Sequence, residues 1–398
     1  MSSVINTLVD LVRINSVNPN YAGGVPEAEL ADYVERFFAQ RGIETWRQEV
    51  YPERPNVIAR IPGREPHRRI VLEAHLDTVS VQGMTIDPWE PSIRDGKLFG
   101  RGACDTKGGM AAMMHAVASL ADEKVVPTCE VIFAATIDEE FSYRGVVALC
   151  DSLAPGAVDA RALQGDRSPS QPWCAEAAIV AEPTDLRPVI ASKGVVRWKI
   201  ETFGISAHSS KPHLGVNAIE HMARVIVAIE QDNQRLARHS HPLLGPATCN
   251  VGVIRGGVQI NFVPDRCEIE IDRRLLPGET RQQVLADYQR LVDEVASQHA
   301  AMRVVMHPPM LSDRPLETDP SAPAVQTMVR VLDNMQLDSQ LVGVPFGSDA
   351  SKFAAIGIPS MILGPGSIDQ AHAAEEYIEC SQVDQAAEIY RRFLVEHA

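Results

Sequence analysis

Between residues 57 and 181, short runs rich in β-branched and apolar residues alternate with stretches whose apolar residues recur at helical spacing. Residues 57–60, 70–74, 130–136 and 178–181 read as strands. Residues 108–120 and 144–152 read as helices, and two more helices, 4–14 and 27–41, precede the first strand. Such alternation predicts an α/β sandwich with a largely parallel sheet, because parallel neighbours need a crossover connection. From Ser192 the pattern changes to strand 195–203, helix 215–236, strands 248–254 and 267–275, helix 281–300 and strand 303–306. The order β-α-β-β-α-β is that of a ferredoxin-like α+β unit. It is complete and set inside the α/β chain, which resumes after Pro308 with helix 323–334, a strand at 360–363 and a terminal helix 381–396. The expected organisation is a discontinuous domain of residues 1–191 and 308–398 around an inserted domain of residues 192–307.

Charge narrows the partners. Lys plus Arg number 37 against 52 Asp plus Glu, a formal charge of -15. Sequence-independent binding to nucleic acid or anionic lipid needs basic surfaces, so neither is expected. No apolar run approaches the roughly 18 residues that span a bilayer, and residues 1–20 lack the pattern of a secretory signal. Seven cysteines are scattered without a C-x-x-C pair. They read as reduced, packed thiols, which with the preceding points gives the expectation of a cytoplasmic protein.

Five acidic or histidine clusters fall at the ends of the expected strands, where α/β sheets place their ligands. In Glu73-Ala74-His75-Leu76-Asp77-Thr78, His75 and Asp77 would share a face of a strand, as in an imidazole metal ligand oriented by a carboxylate; a structural pair is the plainer reading. Four glycines surround Asp105 in Gly100-Arg101-Gly102-Ala103-Cys104-Asp105-Thr106-Lys107-Gly108-Gly109, a loop that would aim a carboxylate ahead of a helix. It is not a phosphate loop, since Lys107 precedes its glycine pair. Glu139 and Glu140 follow an apolar strand, and one could bind metal while the other stays free as a base; a solvated helix start is the alternative. Glu182 ends another strand, and His372 closes the Gly/Pro loop 364–372. Two histidines with several carboxylates suit zinc, or else cobalt or manganese. Two metal ions need a shared carboxylate, for which Asp105 is the natural choice.

Taken in order, these motifs closely resemble the M20 metallopeptidase family, in the branch of acetylornithine deacetylase and succinyl-diaminopimelate desuccinylase. The resemblance runs from the segment 11–19 to the His372 motif. It implies a di-zinc, aminopeptidase-like α/β catalytic domain carrying an inserted dimerisation, or lid, domain. It implies that His75, Asp105 and Glu182 hold one zinc, and that Asp105, Glu140 and His372 hold the second. Asp77 would orient His75, Glu139 would be the general base, and the Asp105–Thr106 peptide would be cis. In the inserted domain, the segment 204–210 resembles the family's histidine motif. His208 would donate a hydrogen bond to the oxyanion, in the partner subunit of a homodimer. Asn261 and Arg273 match positions that help bind the substrate, with Arg273 suited to a bidentate grip on a carboxylate, and Arg273 with the Gly347-Ser348 loop would select the free carboxylate; a surface cation is the plainer reading of Arg273. The loop 364–372 looks most like acetylornithine deacetylases, so the expected substrate is a small N-acyl amino acid with a free carboxylate. A dipeptidase or carboxypeptidase of the same family is the nearest rival, and a catalytically silent, metal-stabilised binding protein the rival from another class.

Overall fold

The computed structural model describes residues 1–153 and 175–397. Residues 155–172, rich in Pro, Gly, Asp, Ser and Arg and read from the sequence as a surface loop, lie outside the described residues. The chain divides into two compact units, one of residues 1–190, 318–342 and 348–398, the other of residues 191–317 and 343–347.

In the first unit the strands follow the spatial order Glu44–Tyr51, Arg54–Ile61, Cys129–Thr136, Glu65–His75, Ala177–Val180, Ser360–Ile362 and Val189–Ser192. Only the middle is parallel: Glu65–His75 pairs in parallel with Cys129–Thr136 and with Ala177–Val180, which in turn pairs in parallel with Ser360–Ile362. The flanks are antiparallel. The sheet is therefore mixed, a correction to the largely parallel expectation. The strand Glu44–Tyr51, whose partly exposed residues give no apolar run to read, adds one antiparallel pair, and Arg54–Ile61 and Val189–Ser192 join the parallel centre antiparallel as well.

Residues of both pleat faces are buried, as crossover helices on a parallel centre require. Val57, Ala59, Leu72, Ala74, Val131, Phe133 and Ile179 join one core with residues of helices Ser3–Arg13, Ala28–Ala39, Gly108–Asp122, Pro323–Asn334 and Cys380–Glu396. Their neighbours Ile58, Val71, Ile132, Ala134 and Ala178, on the opposite face, are equally buried. Helix Gly108–Asp122 is apolar nearly all round, which fits its central place.

The second unit has the antiparallel order Thr248–Gly256, Arg266–Leu275, Gly194–Phe203, Arg303–Met306, the ferredoxin-like arrangement. Helices Ala218–Leu236 and Arg281–Ser297 pack over Trp198, Ile200, Ile269 and Ile271. The first helix starts at Ala218 rather than at the expected residue 215, because Asn217 caps it through the N–H groups of Ile219 and Glu220. Phe133 packs on Phe38 with ring centroids 5.1 Å apart and is fully buried. Phe133→Ala should cost about 3–5 kcal/mol in urea denaturation; a loss well below about 1 kcal/mol would show that the site collapses freely.

Candidate metal centre

His75, Glu140 and Glu182 sit just where central strands end. His75 closes its strand, in register with Thr136 of the neighbouring strand. Glu182 follows Ala177–Val180, and Glu139 and Glu140 follow Cys129–Thr136. Because these strands are adjacent and parallel, their carboxyl ends converge. The loop after Ser360–Ile362 brings His372 to the same edge, and it can do so only closely: a Cβ on Gly364 would lie 2.5 Å from the backbone oxygen of Glu182. Asp105 sits on the turn Ala103–Lys107 that leads into helix Gly108–Asp122. Its peptide bond to Thr106 is cis.

The side chains form two groups that share one residue. His75 Nε2 lies 3.1 Å from Asp105 Oδ1 and 4.0 Å from Glu182 Oε1. His372 Nε2 lies 3.3 Å from Asp105 Oδ2 and 3.3 Å from Glu140 Oε1. Within each group the ligand atoms fall within 4.8 Å of one another. Asp105 thus turns one oxygen to each histidine. The Nδ1 of His75 donates to the backbone oxygen of Asp77 at 2.9 Å, so Nε2 faces Asp105; it donates to that carboxylate in the metal-free state and would offer its lone pair to an ion. The strand ends at His75, so Asp77 does not share a strand face with it. Its backbone carbonyl orients the imidazole, and its carboxylate stands 3.7 Å from Nδ1. That carboxylate instead accepts the N–H groups of Glu139 at 3.0 Å and Glu140 at 3.1 Å, fixing the turn that carries them.

A buried polar chain supports this turn. Asn18 Nδ2 donates to Asp77 at 2.7 Å and to Asp138 at 2.9 Å; Arg54 reaches Asp138 at 3.0 Å and grips Glu27 through two bonds of 2.7 Å. Sequence reading missed Asn18, Arg54 and Glu27 as supports. The one signal was the segment 11–19, which contains Asn18-Pro19 and enters the sequence reading as the start of the family resemblance. Tyr21 Oη donates to the backbone oxygen of Glu140 at 2.6 Å, and its ring meets the exposed Phe141 edge-on. Glu139 and Glu140 differ in use. Glu140 meets His372, whereas the carboxylate of Glu139 makes no hydrogen bond among the described residues.

Crowded carboxylates must share protons. Burial and then the charge of Glu182 push Glu139 well above its usual range, and burial with Asp105 does the same to Glu182. Burial and Asp105 push Glu140 up to about 7. Burial also raises Asp105, but hydrogen bonds from His372 and His75 outweigh it and hold this carboxyl below its usual range. Hydrogen bonds to Asp105 and Glu140 push His372 up to about 10. Protons here occupy positions that cations would take, which fits an oxygen and nitrogen donor set built for divalent ions. Another group, Cys129, Glu176 and His397, also brings its ligand atoms within 4.8 Å, but Arg68 holds Glu176 through bonds of 2.6 and 2.9 Å.

Other candidates lie in the second unit or at its boundary. His208 is exposed, and its Nδ1 accepts the backbone N–H of Ser210 at 3.1 Å, which leaves the proton on Nε2. Its backbone forms an isolated antiparallel bridge with Phe262, and the N–H of Ser209 donates to the oxygen of the exposed Asn261 at 3.0 Å. Arg273 is no surface cation. It points into the core face of its strand, 1% exposed, and donates to Glu279 and to the oxygen of Arg274, with Nε unpartnered among the described residues. Ser348 is buried, its hydroxyl accepting the N–H of Ala350 at 3.3 Å, and a Cβ on Gly347 would lie 2.7 Å from Asp313 Oδ2. Cys104 is a packed thiol: fully buried, donating to the oxygen of Ser367, and pushed well up by burial and by Glu376.

A sheet edge bearing two linked His/carboxylate groups defines a metal-type hydrolase site. Residues 71–396 match the family model Peptidase family M20/M25/M40, and the chain belongs to that family, whose members act on amide bonds. It is 29% identical to acetylornithine deacetylase of Myxococcus xanthus, over 94% of this chain and 91% of the relative. It is 25% identical to a probable succinyl-diaminopimelate desuccinylase of Staphylococcus epidermidis, over 98% and 97%. Its fold matches the crystal structure of aminopeptidase PepT from Bacillus cereus at a TM-score of 0.76, with 23% identity, over 99% of this chain and 97% of that one.

Ions compete with these protons. Zinc affinity should therefore fall as pH drops below the range in which His372 and Glu140 deprotonate, and binding near pH 8 should release protons. Calorimetry in buffers of different ionisation enthalpy reads this directly. Affinity independent of pH, with no proton release, would remove both residues from the ligand set. At about 100 times its dissociation constant, the ion should add about 2.7 kcal/mol to stability.

Proposed function

We propose that the chain is a two-metal amidohydrolase that removes the acyl group from a small N-acyl amino acid, with N-acetylornithine the first candidate substrate. The observation that carries this is Asp105, which presents one oxygen to each of two His/carboxylate groups. His75, Asp105 and Glu182 would hold one ion; Asp105, Glu140 and His372 would hold the other. Zinc suits this donor set best, cobalt and manganese being alternatives. When bound, the ions would polarise the acyl oxygen and lower the pKa of the attacking water from 15.7 towards about 7.

The remaining steps belong to side chains. Glu139 accepts the proton of the attacking water and returns it to the leaving amine. Its carboxylate, free of hydrogen bonds among the described residues while the turn beneath it is fixed by Asp77, is suited to that exchange. His208, with its proton on Nε2, donates to the oxyanion. Selection of the free carboxylate falls to Arg273 with Asn261, Gly347 and Ser348. Arg273 would exchange part of its Glu279 pairing for the substrate.

The second unit supports a homodimer. Thr248–Gly256 is an edge strand, and Ile254, Val258, Ile260 and Phe262 in and after it are exposed. An apolar edge with unpaired backbone groups is a template for a second copy. No described helix is long and apolar enough to cross a membrane, and the proposed location is the cytoplasm. A second reading, peptide hydrolysis, draws on the likeness to an aminopeptidase. Assay of the zinc- and cobalt-loaded protein against N-acyl amino acids and dipeptides separates the two. Metal binding without turnover across that panel would mark a silent binding protein.

Glu139→Gln should retain both ions by elemental analysis and lose at least about 10²–10⁴-fold in kcat. Departure of zinc with the carboxylate would make Glu139 a ligand instead. Mixing Glu139→Gln with His208→Ala under subunit exchange tests the crossed arrangement. About half the dimers would be mixed, each with one intact site, so about a quarter of wild-type activity should return. If mixing restores nothing, His208 acts within its own chain.

A further inference from the structure

The shared ligand Asp105 lies on backbone that cannot satisfy itself. Gly102 adopts φ 78°, and Asp105 and Thr106, at φ -120° and -132°, depart from helical geometry inside the turn. The N–H groups of such a loop need an outside acceptor when buried. One side chain supplies it. Glu376 is fully buried, and its Oε2 accepts Arg101 Nη1 at 2.7 Å and the N–H of Gly102 at 2.9 Å. Its Oε1 accepts the N–H of Cys104 at 2.9 Å and of Asp105 itself at 3.0 Å. Its backbone oxygen takes the N–H of Gly100 at 3.0 Å.

Four donors on one carboxylate, one of them a guanidinium, require a full anion. Glutamine would oppose an amide N–H₂ to one of the donor pairs. Position matters equally. Glu376 follows His372 by four residues and precedes strand Tyr377–Glu379, which pairs with Lys97–Phe99 just before the Asp105 loop. A single segment therefore carries a candidate ligand of one group and the clamp on the carboxylate shared by both. The sequence shows Glu376 only as one acid among Glu375, Glu376 and Glu379, in a stretch that gives no helical or strand period.

We propose that Glu376 is a positioning residue for the shared carboxylate. It fixes the backbone of residues 102–105 so that the Asp105 oxygens stand at both histidines, and it ties that position to His372. This rests on the reading that Asp105 serves two ions.

The test titrates the metal-free protein with zinc alone, comparing wild type, Glu376→Gln, Glu376→Asp and Glu130→Gln. Glu130 is a matched control: a buried carboxylate held by Arg69 at 2.7 Å and Arg60 at 2.8 Å, at the far end of strand Cys129–Thr136. Substitutions behind a metal ligand typically weaken binding about 10–100-fold. Both Glu376 variants should weaken every ion that Asp105 holds by that factor, while Glu130→Gln lowers the melting temperature and leaves zinc affinity at the wild-type value. Wild-type affinity in either folded Glu376 variant overturns the proposal. So does equal weakening by Glu130→Gln, or failure of both Glu376 variants to fold with zinc present, since each reduces Glu376 to general stability. Wild-type protein that binds a single ion refutes sharing by Asp105, and the Glu376 comparison is then read on that ion.

Discussion

Concentrated negative charge is the constraint on which this structure turns. Asp105, Glu139, Glu140 and Glu182 crowd one sheet edge, and Glu73 lies buried beneath His75 with Asp349 close to it. Anions taken out of water at such spacing repel strongly unless something positive joins them. Two imidazoles and shared protons serve in the metal-free state. Every feature around the edge follows from holding the carboxylates there despite their repulsion: converging strand ends, a glycine at 364 that lets a loop approach Glu182, and rigid turns.

That rigidity comes from polar groups outside the ligand set. On one side Asp77 accepts the N–H groups of Glu139 and Glu140, and is braced in turn by Asn18, Asp138, Arg54 and Glu27. On the other side Glu376 accepts those of the Asp105 loop. The two devices are alike. In each, a buried acid outside the proposed ligand set organises the backbone of an acid within it; Arg101 pairs directly with Glu376, whereas Arg54 pairs with Glu27 and with Asp138 beside Asp77. Low dielectric strengthens such networks when every member is satisfied.

The candidate ligands were legible because their chemistry is local. His75, Glu140, Glu182 and His372 each end an apolar run or sit on a glycine-rich loop, and the order of these clusters along the chain carried the family resemblance. The β-α-β-β-α-β unit was legible for the same reason, since Arg266–Leu275 alternates strictly. What escaped was set by tertiary partners. Glu44–Tyr51 becomes a strand by pairing with Arg54–Ile61, not through its own pattern. The bonds Glu376 makes span more than 270 residues of sequence, and no spacing rule reaches that far. Asp77 was read as a side-chain partner of His75, but the backbone carbonyl makes the hydrogen bond because the strand stops two residues short of Asp77.

The chain leaves the first unit at Ile190 and re-enters it at Thr318, and the N–H of Thr318 donates to the oxygen of Ile190 at 2.8 Å. Entry and exit are thus sewn together within the first unit. Closing a long excursion between fixed neighbouring ends costs only a logarithm of its length. The intervening segment can lengthen, shorten or be exchanged with little entropic consequence for the sheet. Chains of this architecture are therefore free to vary the inserted module while the sheet edge that carries the two His/carboxylate groups keeps its form.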